Sequence, residues 1–125
     1  MLSSASLIGF LATASAVAAK QFYGSVLGLA LVEDTPFALV FNSNGTTLRI
    51  QKVQQLSPTA HTALGWAVHD IRSTVRALTA KGVVFQRYDG LPQDALGIWQ
   101  SPSGALVAWF RDPDDNTLSL TESAT

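Results

Sequence analysis

The chain states one structural phrase twice, and that repetition narrows the folds open to it more than any other feature. In each half a strand-like apolar run leads into a capped helical segment. The segment stops at a glycine, and short strands separated by turn residues follow. In the first half, Ser6 to Ala12 is strand-like, and Thr13 or Ser15 caps a helix running to about Val26. Phe22 and Val26 stand i, i+4 on one face of it. Gly28 supplies the left-handed residue that ends helices. Strands are expected at about 29–33, 37–42 and 46–53, separated by Thr35-Pro36 and Asn42-Ser43-Asn44-Gly45.

A polar linker, 54–60, contains Ser57-Pro58 and introduces the second half. A strand at 62–68 leads to Asp70, a good N-cap. Ile71, Val75 and Leu78 form the stripe of an amphipathic helix, and Gly82 ends it as Gly28 ended the first. Strands are expected at 83–88, 105–111 and 116–121, with a short extended piece at 97–101. Each half is therefore βαβββ. One such half-buried sheet cannot close a core alone; two can pair around a common cleft. The expected fold class is α+β: a single domain over 1–125, with two βαβββ modules (about 5–53 and 61–122) whose curved mixed sheets surround a cleft.

Composition removes several function classes. The 125 residues carry a net charge of −1, so nothing draws the chain toward nucleic acid or an acidic membrane. The absence of Cys removes disulfides, thiolate metal sites and Cys nucleophiles, and a reducing, cytoplasmic setting is expected. Only 14% of residues are charged, which suits a surface partly hidden in a homodimer. The segment from Met1 to Ala19 is apolar, and Ala16-Val17-Ala18 has the look of a signal-peptidase site. Yet no Lys or Arg precedes Lys20, so the positive leader region is missing. Ser3, Ser4, Ser6, Thr13 and Ser15 dilute the run too far for a membrane span.

Phe22-Tyr23-x-x-Val26-Leu27-Gly28-Leu29 resembles the FYxxxLGL signature of the vicinal oxygen chelate superfamily, which includes glyoxalases, bleomycin resistance proteins and extradiol dioxygenases. Gly65-Trp66-x-Val68-x-Asp70-Ile71, with Leu78-x-x-x-Gly82-Val83-x-Phe85, is similar to its second-module pattern. Asp112-Pro113-Asp114-x-Asn116 resembles the DPDGN turn before the last strand, with Asp115 in place of the glycine. The resemblance implies paired modules and, in the metal enzymes, four ligands from four strands. Carried onto this chain, those positions fall near Ile8, Arg49, Ala63 and Ser119. None is a good divalent-metal ligand, because such a site needs convergent imidazole or carboxylate groups. Gln51 or His61 could stand in after a register slip, but without a carboxylate. No metal and no cofactor are expected.

Strand alternation sends side chains to two faces. Leu48 and Ile50 should face a helix, leaving Arg49 and Gln51 toward the cleft. Leu118 and Leu120 should do likewise, leaving Ser119 inside with Thr117 and Thr121. Ile8, Phe10 and Ala12 are the inward set of the first strand. Candidate ligand-binding residues are thus Phe10, Arg49, Gln51, Trp99, Trp109 and Ser119. Arg49 would hold a carboxylate, phosphate or polarised carbonyl, and the aromatic rings would stack on a flat ligand. Arg49 could equally pair with Glu33, Asp34 or Asp89 as plain structure. Trp66 is expected in the core. Trp109 and Phe110 take opposite faces, and alternation does not say which is core. His61 and His69 are expected on the surface. Asp112, Asp114 and Asp115 read as turn chemistry rather than a calcium loop. Three functions compete. One is a binder of a small neutral or anionic molecule without the usual metal. The second is an enzyme: a lyase, isomerase or dioxygenase with displaced metal ligands, or acid–base chemistry by Glu33 or Asp94. The third is a protein-interaction module.

Overall fold

The computed structural model describes all 125 residues. They form two compact units, Met1–Pro58 and Thr59–Thr125, each with its own four-stranded mixed sheet.

In the first unit, β1 (Ile8–Thr13) leads to α1 (Ala16–Gln21), which widens into a single π-helical turn at Phe22–Val26. Strands β2 (Ala30–Asp34), β3 (Ala38–Ser43) and β4 (Thr46–Lys52) follow, and the sheet order is β1-β4-β3-β2. The apolar N-terminal segment is thus a strand and a helix, with β1 running parallel to β4. The helical run reaches Val26 as its pattern suggests, but its last turn is π-helical: the Leu27 N–H reaches back five residues to the Phe22 carbonyl, and Gly28, at φ 79°, ends the turn. Ser15 stands at the N-cap without a capping bond, and the Thr13 hydroxyl instead accepts the Ser15 N–H at 3.0 Å.

Alternation sorts most of this sheet, although Ala38 and Val40 of β3 are buried on the face opposite the helix. Leu11, Leu39, Phe41, Leu48 and Ile50 are buried on the helical side, where the Tyr23 ring lies 6.0 Å from Phe41. Between Leu31 and Glu33 the β2–β3 register shifts, so Val32 bulges from the outermost strand. Asp34 at the end of β2 binds Lys52 at 2.6 Å and Lys20 at 3.3 Å, tying β2 to β4 and α1.

The second unit runs β5 (Leu64–Ala67), α2 (Ile71–Ala80), β6 (Trp99–Gln100), β7 (Leu106–Arg111) and β8 (Thr117–Glu122), in sheet order β5-β8-β7-β6. Helix α2 packs Ile71 and Val75 toward β7 and β8. Its first turn is held from two sides. The Asp70 carboxylate accepts the Ser73 N–H, and the Glu122 carboxylate, at the end of β8, accepts that of Ile71. Both satisfy amides that a helix cannot pair itself. Gly82, at φ 95°, follows the helix.

One expected strand is missing. Residues 83–88 join the backbone of the sheet through only a single bridge, Phe85 to Phe110, and the short β6 takes the fourth place. The carbonyl of Gln86 and the amide of Tyr88 are instead bound by the Gln93 side chain. Phe110 is the core member of its pair and Trp109 is half-buried on the other face. Trp66 is half-buried rather than enclosed: it stacks on Phe110, with centroids 6.4 Å apart.

Candidate functional site

Each sheet has one face away from its helix, and the candidate residues lie on these faces. In the first unit, Phe10 of β1 stands beside Arg49 of β4, which stands beside Val40 of β3, which stands beside Glu33 of β2. Ala12, Gln51 and Ala38 form the adjoining row. The parallel β1–β4 ladder therefore puts an aromatic ring and a guanidinium on neighbouring strands at one level. Phe10 is 54% exposed, unusual for its size. Arg49 is half-buried and Gln51 exposed. Arg49 joins none of the ion pairs made by Lys20, Lys52 and Arg72, and its guanidinium has no side-chain hydrogen bond. Asp34, one candidate partner, is already held by the two lysines.

In the second unit, Gly65, Ser119 and Trp109 form a row across β5, β8 and β7. The Ser119 hydroxyl lies over Gly65: a Cβ built on the glycine would stand 2.5 Å from Oγ. Trp109 is flanked by two more rings. Tyr88 meets it edge-on at 5.5 Å and 85°, and Trp99 lies 6.0 Å away at 32°. Tyr88 escaped the reading of the sequence because its segment has the composition of a strand. Its signal was the Gln93 that follows it by five residues.

The residues at the four positions that the resemblance implies for metal ligands do not suit a divalent cation. Ile8 and Ala63 bring no donor atom, Arg49 brings a positive charge, and Ser119 brings a neutral hydroxyl. Gln51 and His61 are both exposed, and no group of three or more His, Cys, Asp or Glu residues comes together. Asp94 is not free for acid–base work. Its Oδ1 accepts the N–H groups of Leu96 and Ile98, and Oδ2 binds Arg72 at 2.7 Å. Partial burial raises its pKa, but the hydrogen bonds from Ile98, Arg72 and Leu96 outweigh this and hold it below the usual carboxylate value. The carboxylate of Asp112 is spent in the same way, on the amides of Asp114 and Asn116 and the Asn116 side chain.

The family model described as the Glyoxalase/Bleomycin resistance protein/Dioxygenase superfamily matches residues 8–120. The chain belongs to that superfamily. Solved structures agree on the fold. A lactoylglutathione lyase from Agrobacterium tumefaciens superposes with a TM-score of 0.76 at 18% identity, covering 97% of this chain and 95% of its own. A superfamily member from Sphaerobacter thermophilus DSM 20745 gives 0.77 at 22% identity, covering 98% and 100%. A putative glyoxalase family protein from Bacillus anthracis gives 0.75 at 15% identity, covering 96% and 95%. No curated protein matches the chain in sequence. No helix is long and apolar enough to cross a membrane.

Proposed function

We propose that this superfamily member binds a small, flat molecule, neutral or anionic, on the helix-free faces of its sheets, without the metal its relatives' ligand positions would hold. The observation that carries this reading is Arg49. Arg49 is half-buried as a residue, and its guanidinium, which makes no ion pair or hydrogen bond within the chain, is left open to a partner from outside. Its planar fork suits a carboxylate, a phosphate or a polarised carbonyl. The exposed ring of Phe10 beside it suits the apolar part of the same molecule. In the second unit the half-buried rings of Trp99 and Trp109 supply apolar surface, while Ser119 beneath them is buried, and Gln51 adds an exposed amide beside Arg49. A homodimer in the cytoplasm completes the proposal; sedimentation equilibrium giving only monomer at micromolar concentration would remove the dimer.

The test is a binding titration of aromatic carboxylates, with fluorescent anthranilate as the first probe, on wild type and Arg49→Ala. Loss of a charge-assisted hydrogen bond should weaken binding about tenfold to a hundredfold. Arg49→Lys should recover only part of it, because an ammonium cannot reproduce the fork. Undiminished affinity in Arg49→Ala would overturn the assignment.

A further inference from the structure

Between Phe85 and Trp99 the chain leaves the sheet of the second unit and returns to it. Single bridges mark the two ends, Phe85 to Phe110 and Gln93 to Trp99. The side chain of Gln93 ties this excursion together. Its Oε1 accepts the Tyr88 N–H at 2.8 Å, and its Nε2 donates to the carbonyls of Gln86 and Gly97, both at 2.9 Å. Both amide protons and the amide oxygen are thus in use. Gln86 is in turn bound to the strand that matters, since its N–H donates to the Trp109 carbonyl at 2.8 Å.

One side chain therefore fixes the backbone at Tyr88, two residues before it at Gln86, and two residues before Trp99 at Gly97. Tyr88 and Trp99 are the rings that flank Trp109. Asp94 and Arg87 brace the far end of the loop, through Leu96, Ile98 and the carbonyls of Asp94 and Ala95. Gln93 alone grips the backbone on both sides of the excursion next to the two rings.

We infer that Gln93 is a positioning residue that sets the geometry of the Tyr88–Trp109–Trp99 aromatic wall, and through it the affinity for a flat ligand. That the wall meets a ligand rests on the function proposed above; that Gln93 sets its geometry does not. Two of its three hydrogen bonds take backbone groups of the expected strand, at Gln86 and Tyr88, and the third holds the returning segment at Gly97. In a half-buried setting each contributes more than an exposed bond.

The experiment compares wild type, Gln93→Met, Asp70→Ala and Trp99→Phe as intact proteins. Met has a similar size and reach but none of the amide's hydrogen bonds. Close indole rings give an exciton couplet in far-ultraviolet circular dichroism, and Trp99→Phe identifies the part due to the Trp99–Trp109 pair. Gln93→Met is expected to lose most of that couplet and to bind anthranilate about tenfold more weakly. Asp70→Ala, which removes the α2 cap, is expected to lower Tm while keeping the couplet. Gln93→Asn retains the amide on a shorter stem; it serves if the Met variant does not fold, and is expected to show an intermediate couplet. A couplet of wild-type strength in the Gln93 variants, or equal loss in Asp70→Ala, would overturn the inference. If wild type fails to bind anthranilate, the couplet still decides the role of Gln93, and only the ligand-binding reading is damaged.

Discussion

Ser119 lies directly across the parallel β5–β8 ladder from Gly65, and its hydroxyl fills the space a side chain on residue 65 would need. Gly65→Ala should therefore destabilise the protein by about 1–3 kcal/mol, the usual cost of overpacking. Ser119→Ala removes the 2.5 Å clash and leaves the Ser119 carbonyl, 3.3 Å away, as the nearest neighbour. The double variant should recover much of the loss. A denaturant-unfolding cycle measures the coupling; simple additivity would show that the two positions do not share that space.

Asp34 should reveal itself in acid. Its hydrogen bond from Lys52, and then that from Lys20, lower its pKa from the ordinary 3.8. A carboxyl depressed on folding stabilises the fold above its unfolded pKa, and that contribution disappears as pH falls through the lower folded value. Asp34→Asn is expected to have a lower Tm than wild type at neutral pH. The gap should begin to close only as pH falls toward 3.8 and should vanish below it. A gap that has already closed in mildly acidic solution would contradict the clamp.

Asp115 sits at φ 65°, the left-handed conformation that the related turn assigns to glycine. Its N–H donates to the Asp112 carbonyl, so the turn is closed despite the side chain. Asp115→Gly is expected to change stability by no more than about 1 kcal/mol, with relief of strain opposed by greater freedom in the unfolded chain. Asp115→Val should cost more, because a β-branched side chain tolerates this region poorly. Thermal unfolding of the two variants gives the order.

Metal content offers a separate check. Protein prepared without added metal should carry no stoichiometric Zn, Ni, Mn or Fe, since Ile8, Arg49, Ala63 and Ser119 supply one neutral hydroxyl and one cation between them. Elemental analysis reads this directly, and reproducible stoichiometric metal would demand a ligand set other than this one.

The duplicated architecture was legible because its signals are local. The apolar stripe of α2 needed only spacing, and the chain reversals at Gly28 and Gly82 needed only a residue that accepts positive φ. The faces of β4 and β8 followed from alternation, which placed Leu48 and Ile50 opposite Arg49, and Leu118 and Leu120 opposite Ser119. The strand expected at 83–88 failed for a non-local reason. Val83-Val84-Phe85 has strand composition, but a strand needs a ladder: β6 holds the edge of β7 at Leu106 and Val107, and the Gln93 side chain binds the carbonyl of Gln86 and the amide of Tyr88. The face of Trp66 points to the core, but alternation reports direction and not depth, and the ring is only half-buried where it stacks on Phe110. Arg49 could be placed on its face from the sequence. That it lacks an internal counter-ion could not: Asp34 lies on the row of Leu39 and Ile50, on the other face, and Glu33, on the row of Arg49, makes no ion pair with it.

The surplus residue at Val32 has a bearing on solubility. It interrupts the outermost rung of the first sheet, where an unbroken row of amides and carbonyls would invite a foreign strand to zip on. A chain with so few charges cannot rely on repulsion to refuse such visitors. The bulge breaks that row, and deleting Val32 is expected to raise self-association, read by light scattering.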